Sequence, residues 1–396
     1  MVDSVILCFE AHQPRRIGRN RFWDKEANFW SEQDRVILNR VSEKCYLKTN
    51  TVLQNMDKLK GGFSISGVLL EQLEELGKWD VLESFKKLFD SDRFELIGET
   101  QYHSLAALVD SSEFYEQMGM HRQTLNRLFG KTPTCFVNTE LIFHRSLVQK
   151  IRNFGYTAIF AEGCPGLLYR RSPNHLYTVD DVKVFVRNNE LSDDIGFRFS
   201  NPSWSQYPLT AEKYAEWVSK CEGEFVTVYI DYETFGEHHS ESTGIFGFLA
   251  HLGDELTKRG VQLLTPTEAL HKFGAAASLE AKEYTSWADT EKDLSAWLGN
   301  SMQREAFEEV YRLEKGIKDY GYPDLLWQWR ILTESDHLYY CSTKSLSSGD
   351  VHMYFNPYKS PYMAFINLIN ASRILASRIN LEHSYTRQRS KKLIEK

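Results

Sequence analysis

Surplus positive charge, long apolar runs and paired cysteines are all missing from this chain, and each absence removes a class of function. Asp and Glu number 54 against 47 Lys and Arg in 396 residues, a net charge of −7, so nothing draws the protein electrostatically to nucleic acid or to an anionic membrane. No apolar segment approaches the roughly 20 residues that span a bilayer. The opening MVDSVILCFEAHQP has a short apolar run and no basic start, which does not make a signal peptide. The six cysteines, Cys8, Cys45, Cys135, Cys164, Cys221 and Cys341, form no CxxC pair. Scattered through a chain of this size, they read as reduced, mostly buried thiols of a cytoplasmic protein. No GxGxxG or P-loop follows a strand-like run, which excludes the common nucleotide cradles. No HxxxH or HExxH occurs, and adjacent His238-His239 have the wrong spacing to share a helix face. The compact ligand set of a metal-dependent deacetylase is therefore lacking, and no metal or cofactor is expected.

Aromatic residues are plentiful, with 20 Tyr, 24 Phe and 9 Trp. They serve a large core, and they equally supply the flat apolar platforms on which a pyranose ring rests. Short apolar runs alternate with amphipathic stretches through the first two thirds of the chain. Strands are expected near Ser4–Phe9, Gly62–Ser66, Phe94–Ile97, Thr134–Val137, Ala158–Ala161, Lys183–Val186, Glu224–Ile230 and Gln262–Leu264. Helices are expected near Leu69–Leu76, Val81–Phe89, Phe114–Phe129, Arg145–Phe154, Ala211–Lys220 and Gly247–Arg259. Strand–helix alternation with few hairpin signals means a parallel α/β sheet, and seven or eight repeats favour closure into a barrel. Asp180-Asp181 marks one possible hairpin. From about residue 273 the spacing becomes helical, which gives two domains, 1–272 and 273–396. The second ends in an amphipathic helix over Tyr362–Ile379 and a basic, frayed tail, Arg387–Lys396.

Four expected strands end in polar groups: Glu10/His12 with Gln13, Glu99/His103, Asn138/Glu140 and Asp231/Glu233. In a parallel barrel these ends share one rim, where such folds place their chemistry. Side-chain alternation puts Asn138 and Glu140 on one face, and Thr227, Tyr229, Asp231 and Glu233 on another. The bland alternatives stay open. Asn138 or Thr139 could cap a helix with Glu140 in its first turn, and the acids after Ile230 could form a solvated loop. Two carboxyl groups brought together from distant segments are the minimum equipment for cleaving a glycosidic bond.

The same residues resemble a known family. HQP at His12–Pro14, GETQYH at Gly98–His103, NTEL at Asn138–Leu141, DYETFG at Asp231–Gly236 and SWADTEKDLSAWLGN at Ser286–Asn300 fall in the order and approximate spacing of the motif regions of glycoside hydrolase family 57. The resemblance implies an incomplete TIM-like (β/α)7 barrel followed by a C-terminal α-helical bundle. It also implies action on α-glucans with retention of configuration, by hydrolysis or by transfer to another sugar. Glu140 matches the nucleophile and Asp231 the general acid/base. His12, Glu99 and His103 match sugar-binding positions, and Trp287 and Asp293 match the helical domain's contribution to the cleft. Gln13, Asn138 and Glu233 are added as substrate-binding candidates from their places at the strand ends, with the like charge of Glu233 tuning Asp231. One position departs: Val137 stands where relatives often carry arginine, and by alternation it points away from the cleft. A catalytically silent glycan-binding protein is the alternative of another class.

Overall fold

The first strand, β1 (Ser4–Ala11), is buried along its whole length and organises the sheet. It lies parallel between β2 (Gly61–Ile65) and β8 (Phe225–Asp231). From β2 the order runs through β3 (Phe94–Ile97), β4 (Cys135–Val137), β5 (Ala158–Glu162) and β7 (Val182–Arg187) back to β8. These parallel strands make a nearly closed seven-stranded barrel. Two seams are thin. β3 meets β4 through Gly98 alone, whose N–H donates to Cys135 O at 2.9 Å and whose carbonyl accepts from Val137 N at 2.8 Å. β7 meets β8 at one residue pair, Arg187 with Thr227. The expected hairpin is present: β6 (Leu176–Val179) runs antiparallel to β7, and Asp180 and Asp181 both have positive φ, as a two-residue type I′ turn requires.

Each expected strand and helix lies within a few residues of its sequence-derived position, because the apolar alternation has physical targets on both faces. Val5, Leu7, Phe9, Phe63, Val226 and Val228 face outward into the helix layer. Ile6, Cys8, Cys135, Val137, Phe160, Phe185 and Tyr229 fill the interior. The surrounding helices show ordinary end chemistry. His144 caps Arg145–Phe154 by accepting from Ser146 N, and Gly155 closes that helix at φ 98°.

The computed structural model describes residues 1–29 and 31–394, with side chains to residue 379. Two compact units emerge. The barrel unit comprises residues 1–13, 35–101 and 110–288, and the helical unit comprises 14–34, 102–109 and 289–396. The helical unit is built on the helices Ser301–Arg312, Pro323–Leu332 and Pro361–Ile394 around fully buried Trp297 and Trp329. Trp329 Nε1 donates to Val310 O at 2.7 Å, which satisfies the indole inside that core. The side chains of the basic tail expected to fray, Arg387–Lys396, lie outside the described residues. Among the described residues no helix is long and apolar enough to cross a membrane.

Candidate active site

All barrel strands end on one rim, and strand alternation carries the interior face up to it. Above Ile6 and Cys8 stands Glu10, above Tyr229 stands Asp231, above Phe160 stands Glu162, and above Phe185 stands Arg187. Register places Glu10 beside Asp231 and Glu162 beside Arg187. Apolar layers thus give way within one residue step to a charged one. Glu99 is fully buried, and its carboxylate accepts from Ser64 Oγ at 2.7 Å. Its backbone N–H donates to His121 Nδ1, and His121 Nε2 bonds Ile65 O. A carbonyl can only accept, so His121 carries its proton on Nε2. Burial holds it neutral by pushing its pKa down.

Glu140 reaches the rim by a different route from the one alternation suggests. β4 stops at Val137, and Thr139–Leu141 form a single tight turn in which Glu140 (φ 59°) and Leu141 (φ 52°) are both left-handed. Such a backbone costs on the order of 1 to 3 kcal/mol per non-glycine residue and persists only where its surroundings hold it. The holder is the segment 281–287, which runs back along 140–145. Phe143 and Thr285 exchange backbone bonds at 2.8 and 2.9 Å, Arg145 N donates to Ala281 O at 2.9 Å, and Trp287 N donates to Glu140 O at 3.2 Å. His144 stacks on Tyr284 at 4.3 Å. Asn138 closes the turn from inside, donating Nδ2–H to Ile142 O at 3.0 Å. The same segment delivers the Trp287 indole, whose Nε1–H donates to Glu140 Oε2 at 2.5 Å. Asn138 stands at the N-cap position of this one-turn 3-10 helix but makes no side-chain cap bond, and the next α-helix starts only at Arg145.

Alternation fails again after Asp231. β8 ends there, and Tyr232–Thr234 turn once, which swings Glu233 into the protein. Its carboxyl, 4% exposed, accepts from Tyr46 Oη and from His12 N. The substrate-binding position expected for Glu233 is thus a buried brace under the His12 loop. Burial first, and the negative charge of Asp231 next among the raising causes, push its pKa up to about 8. Gly236, at φ 108°, lets this loop pass the backbone at Lys44, where a Cβ would lie 2.0 Å from the Lys44 carbonyl oxygen. Glu237 pairs with Arg40, and His239 bonds Ser200 Oγ and Ile195 O. The acids and histidines after Asp231 are mostly structural ties.

A buried acid with a folded pKa near 8 and an ordinary value of 4.5 keeps its proton in the native state across a range where the unfolded chain has released it. The native state then binds more protons, so stability falls as pH rises from about 4.5 to about 8 and levels off above. Glu233→Gln keeps the acceptor oxygen for Tyr46 and His12 but removes the ionisation. Thermal melts from pH 5 to 9 should show a flatter curve for the variant and a gain over the parent at pH 8 on the order of a few kcal/mol. Parallel curves would refute this account of Glu233.

The other expected residues divide between the units. His12 Nδ1 shares a 2.7 Å hydrogen bond with Ser66 Oγ, and the Gln13 carbonyl accepts from Gln72 Nε2 at 2.8 Å. Both stand at the mouth of β1. His103 and Asp293 belong to the helical unit. There the buried, left-handed His103 accepts from Ser335 N through its carbonyl. Exposed Asp293 accepts from Ser295 N.

A barrel rim of carboxylates over an apolar interior fits the known-family model that the sequence matches, "Glycosyl hydrolase family 57", over residues 6–282. The chain belongs to glycosyl hydrolase family 57. It is accordingly a glycoside hydrolase. A relative from Methanocaldococcus jannaschii, named "Putative alpha-amylase", is 40% identical over 388 residues, covering 92% of this chain and 82% of the relative. Among solved structures, the branching enzyme of Pyrococcus horikoshii superposes with a TM-score of 0.71 at 15% identity, over 91% of this chain and 89% of that one. The 4-alpha-glucanotransferase of Thermococcus litoralis gives 0.69 at 17% identity, over 94% of this chain and 60% of that one. At these identities the structural likeness speaks for the fold.

Within this family 57 chain two features went unread in the sequence. Val137 faces the barrel interior with Cys135 and Phe160, while Phe136 packs outward on Tyr156 and Phe114. The expectation that Val137 points away is corrected, because the turn at Glu140 breaks the alternation it rested on. Glu162 and Arg187, an ion pair at 3.1 Å with side-chain exposures of 0 and 4%, were missed altogether. The signal was available: each is the next interior residue beyond an apolar run, at the end of β5 and of β7.

Proposed function

We propose that the protein cleaves α-glucans with retention of anomeric configuration, Glu140 acting as nucleophile and Asp231 as general acid/base. The observation that carries this reading is the construction around Glu140: a left-handed turn fixed by a returning segment, with an indole N–H on one carboxylate oxygen. Structures store strain of this kind at reacting groups. Asp231 supports it from the end of β8, half-buried beside Glu10 on the same rim.

In the first step Asp231 gives its proton to the departing glycosidic oxygen as a Glu140 oxygen attacks the anomeric carbon, leaving a glycosyl ester and an ionised Asp231. In the second, Asp231 takes a proton from water or from a sugar hydroxyl, whose oxygen displaces Glu140 and regenerates both groups. Retention calls for carboxyl groups about 5 to 5.5 Å apart. His12, Gln13, Glu99, Asn138 and Trp287 of the barrel unit are the proposed contacts to sugar. Six free cysteines, five of them buried, suit a reducing cytoplasm.

Incubation with maltoheptaose, followed by chromatography and by NMR of the first-formed anomer, tests this function. Shorter oligosaccharides with the α-anomer first are the expected result. A ladder of longer products would assign transfer as the favoured second step, and new α-1,6 linkages would assign branching. Initial release of the β-anomer would overturn retention, and binding without any product would favour the silent glycan-binding protein.

A further inference from the structure

We propose that Arg187 is a positioning residue for the nucleophile: locked in place itself, it holds the Trp287 ring, and that ring holds the carboxylate of Glu140. The inference rests on the reading of Glu140 as nucleophile and assigns its support.

Every arm of the Arg187 guanidinium is committed to a different acceptor. Nε donates to Tyr229 O at 2.7 Å, Nη1 to Glu162 Oε2 at 3.1 Å and Nη2 to Asp193 Oδ1 at 2.6 Å. The planar fork is thereby fixed in position and tilt, which a lysine, with one nitrogen, cannot reproduce. Burial would by itself disfavour its charge, but Glu162 and Asp193 more than restore it, so Arg187 stays cationic. Its Cζ lies 5.7 Å from the centre of the Trp287 ring, within the range of attraction between a cation and an aromatic face. The edge of the same ring pair is set by Tyr229, at 6.0 Å and 72°. Arg187 and Tyr229 therefore define where the indole plane sits, on a segment with no helix or strand of its own to stiffen it. The indole N–H then fixes Oε2 of Glu140 and with it the direction in which the carboxylate meets the anomeric carbon. A displacement of about 1 Å at a reacting group can cost about 100-fold in rate.

The test is a double-mutant cycle on the full chain, with kcat and KM measured for Arg187→Lys, Trp287→Phe and the pair. Arg187→Lys should lower kcat about 10- to 100-fold with KM within about 3-fold, since positioning is felt in the transition state. In the Trp287→Phe background, where the N–H link is already gone, the same change should cost less than about 3-fold. A purely architectural arginine would lower the melting temperature and multiply its kinetic loss with that of Trp287→Phe, and such multiplicative losses overturn the proposal. Should Arg187→Lys fail to fold, Asp193→Ala removes the acceptor of one arm of the fork at a side chain 22% exposed and enters the same cycle; no kinetic loss there also overturns it. The underlying reading is tested apart, by adding azide to Glu140→Ala. A β-glycosyl azide product upholds Glu140 as nucleophile whatever the cycle shows, and its absence, with parental turnover retained, removes Glu140 and Arg187 together.

Discussion

Glu140→Gln is expected to lower kcat about 10⁴-fold while the protein melts as the parent does. The amide is close in shape to the carboxylate, and its oxygen can still accept the Trp287 N–H, so the left-handed turn keeps its outer partner. What it loses is the negative charge and the lone-pair reactivity needed to form the glycosyl ester. The measurement is steady-state turnover of maltoheptaose alongside a thermal melt. Parental turnover in a folded Glu140→Gln would place the nucleophile elsewhere on the rim, with Glu10 and Glu99 the next carboxylates to examine. A variant that loses activity and stability together would show only that the turn needs the charged group.

Asp231→Asn should lose about 10² to 10⁴-fold on ordinary glucans, the usual worth of a positioned general acid or base, and the loss should depend on the leaving group. With a maltosyl fluoride, whose leaving group departs without a proton, the first step should recover most of its rate. The second still lacks a base for water, so the ester on Glu140 should accumulate and appear as a burst followed by slow turnover. Mass spectrometry of the denatured protein would detect the adduct. Equal losses on both substrates, with no burst, would remove Asp231 from proton transfer.

Strand interiors were legible because a barrel strand is sandwiched between two apolar environments, and its residue types report both. β3, expected at Phe94–Ile97, is found there to the residue. The Asp180-Asp181 turn was legible because few residues tolerate consecutive positive φ values as well as aspartate, asparagine or glycine. Legibility stops where a strand stops. Extending the period of two to Glu140 and Glu233 assumed extended backbone through positions that are turns. No local feature announces the turn at Glu140, because the residues that stabilise it come from 281–287, more than a hundred positions later. Glu162 and Arg187 fell to the opposite error, since the expected strands were ended one residue early and the alternation that would have exposed them was cut off. His103 illustrates a third limit. The segment 102–109 groups with the helical unit, and nothing in the composition of GETQYHSLAAL marks a change of partner.

The place of β1 has a consequence for how the chain is made. Its neighbours are β2, some 50 residues downstream, and β8, whose pairing joins Ser4 to Phe225. β1 is therefore made long before its second partner is. At about 5 to 20 residues per second, VILCFEA waits roughly 10 to 45 s for its second partner. During that time a largely apolar strand is open to other nascent chains. Pairing at such sequence separation is also slow in itself, because a long loop must close before any contact rewards it. Synthesis in the cell thus favours whatever holds this edge meanwhile, whether early pairing with β2 or a chaperone.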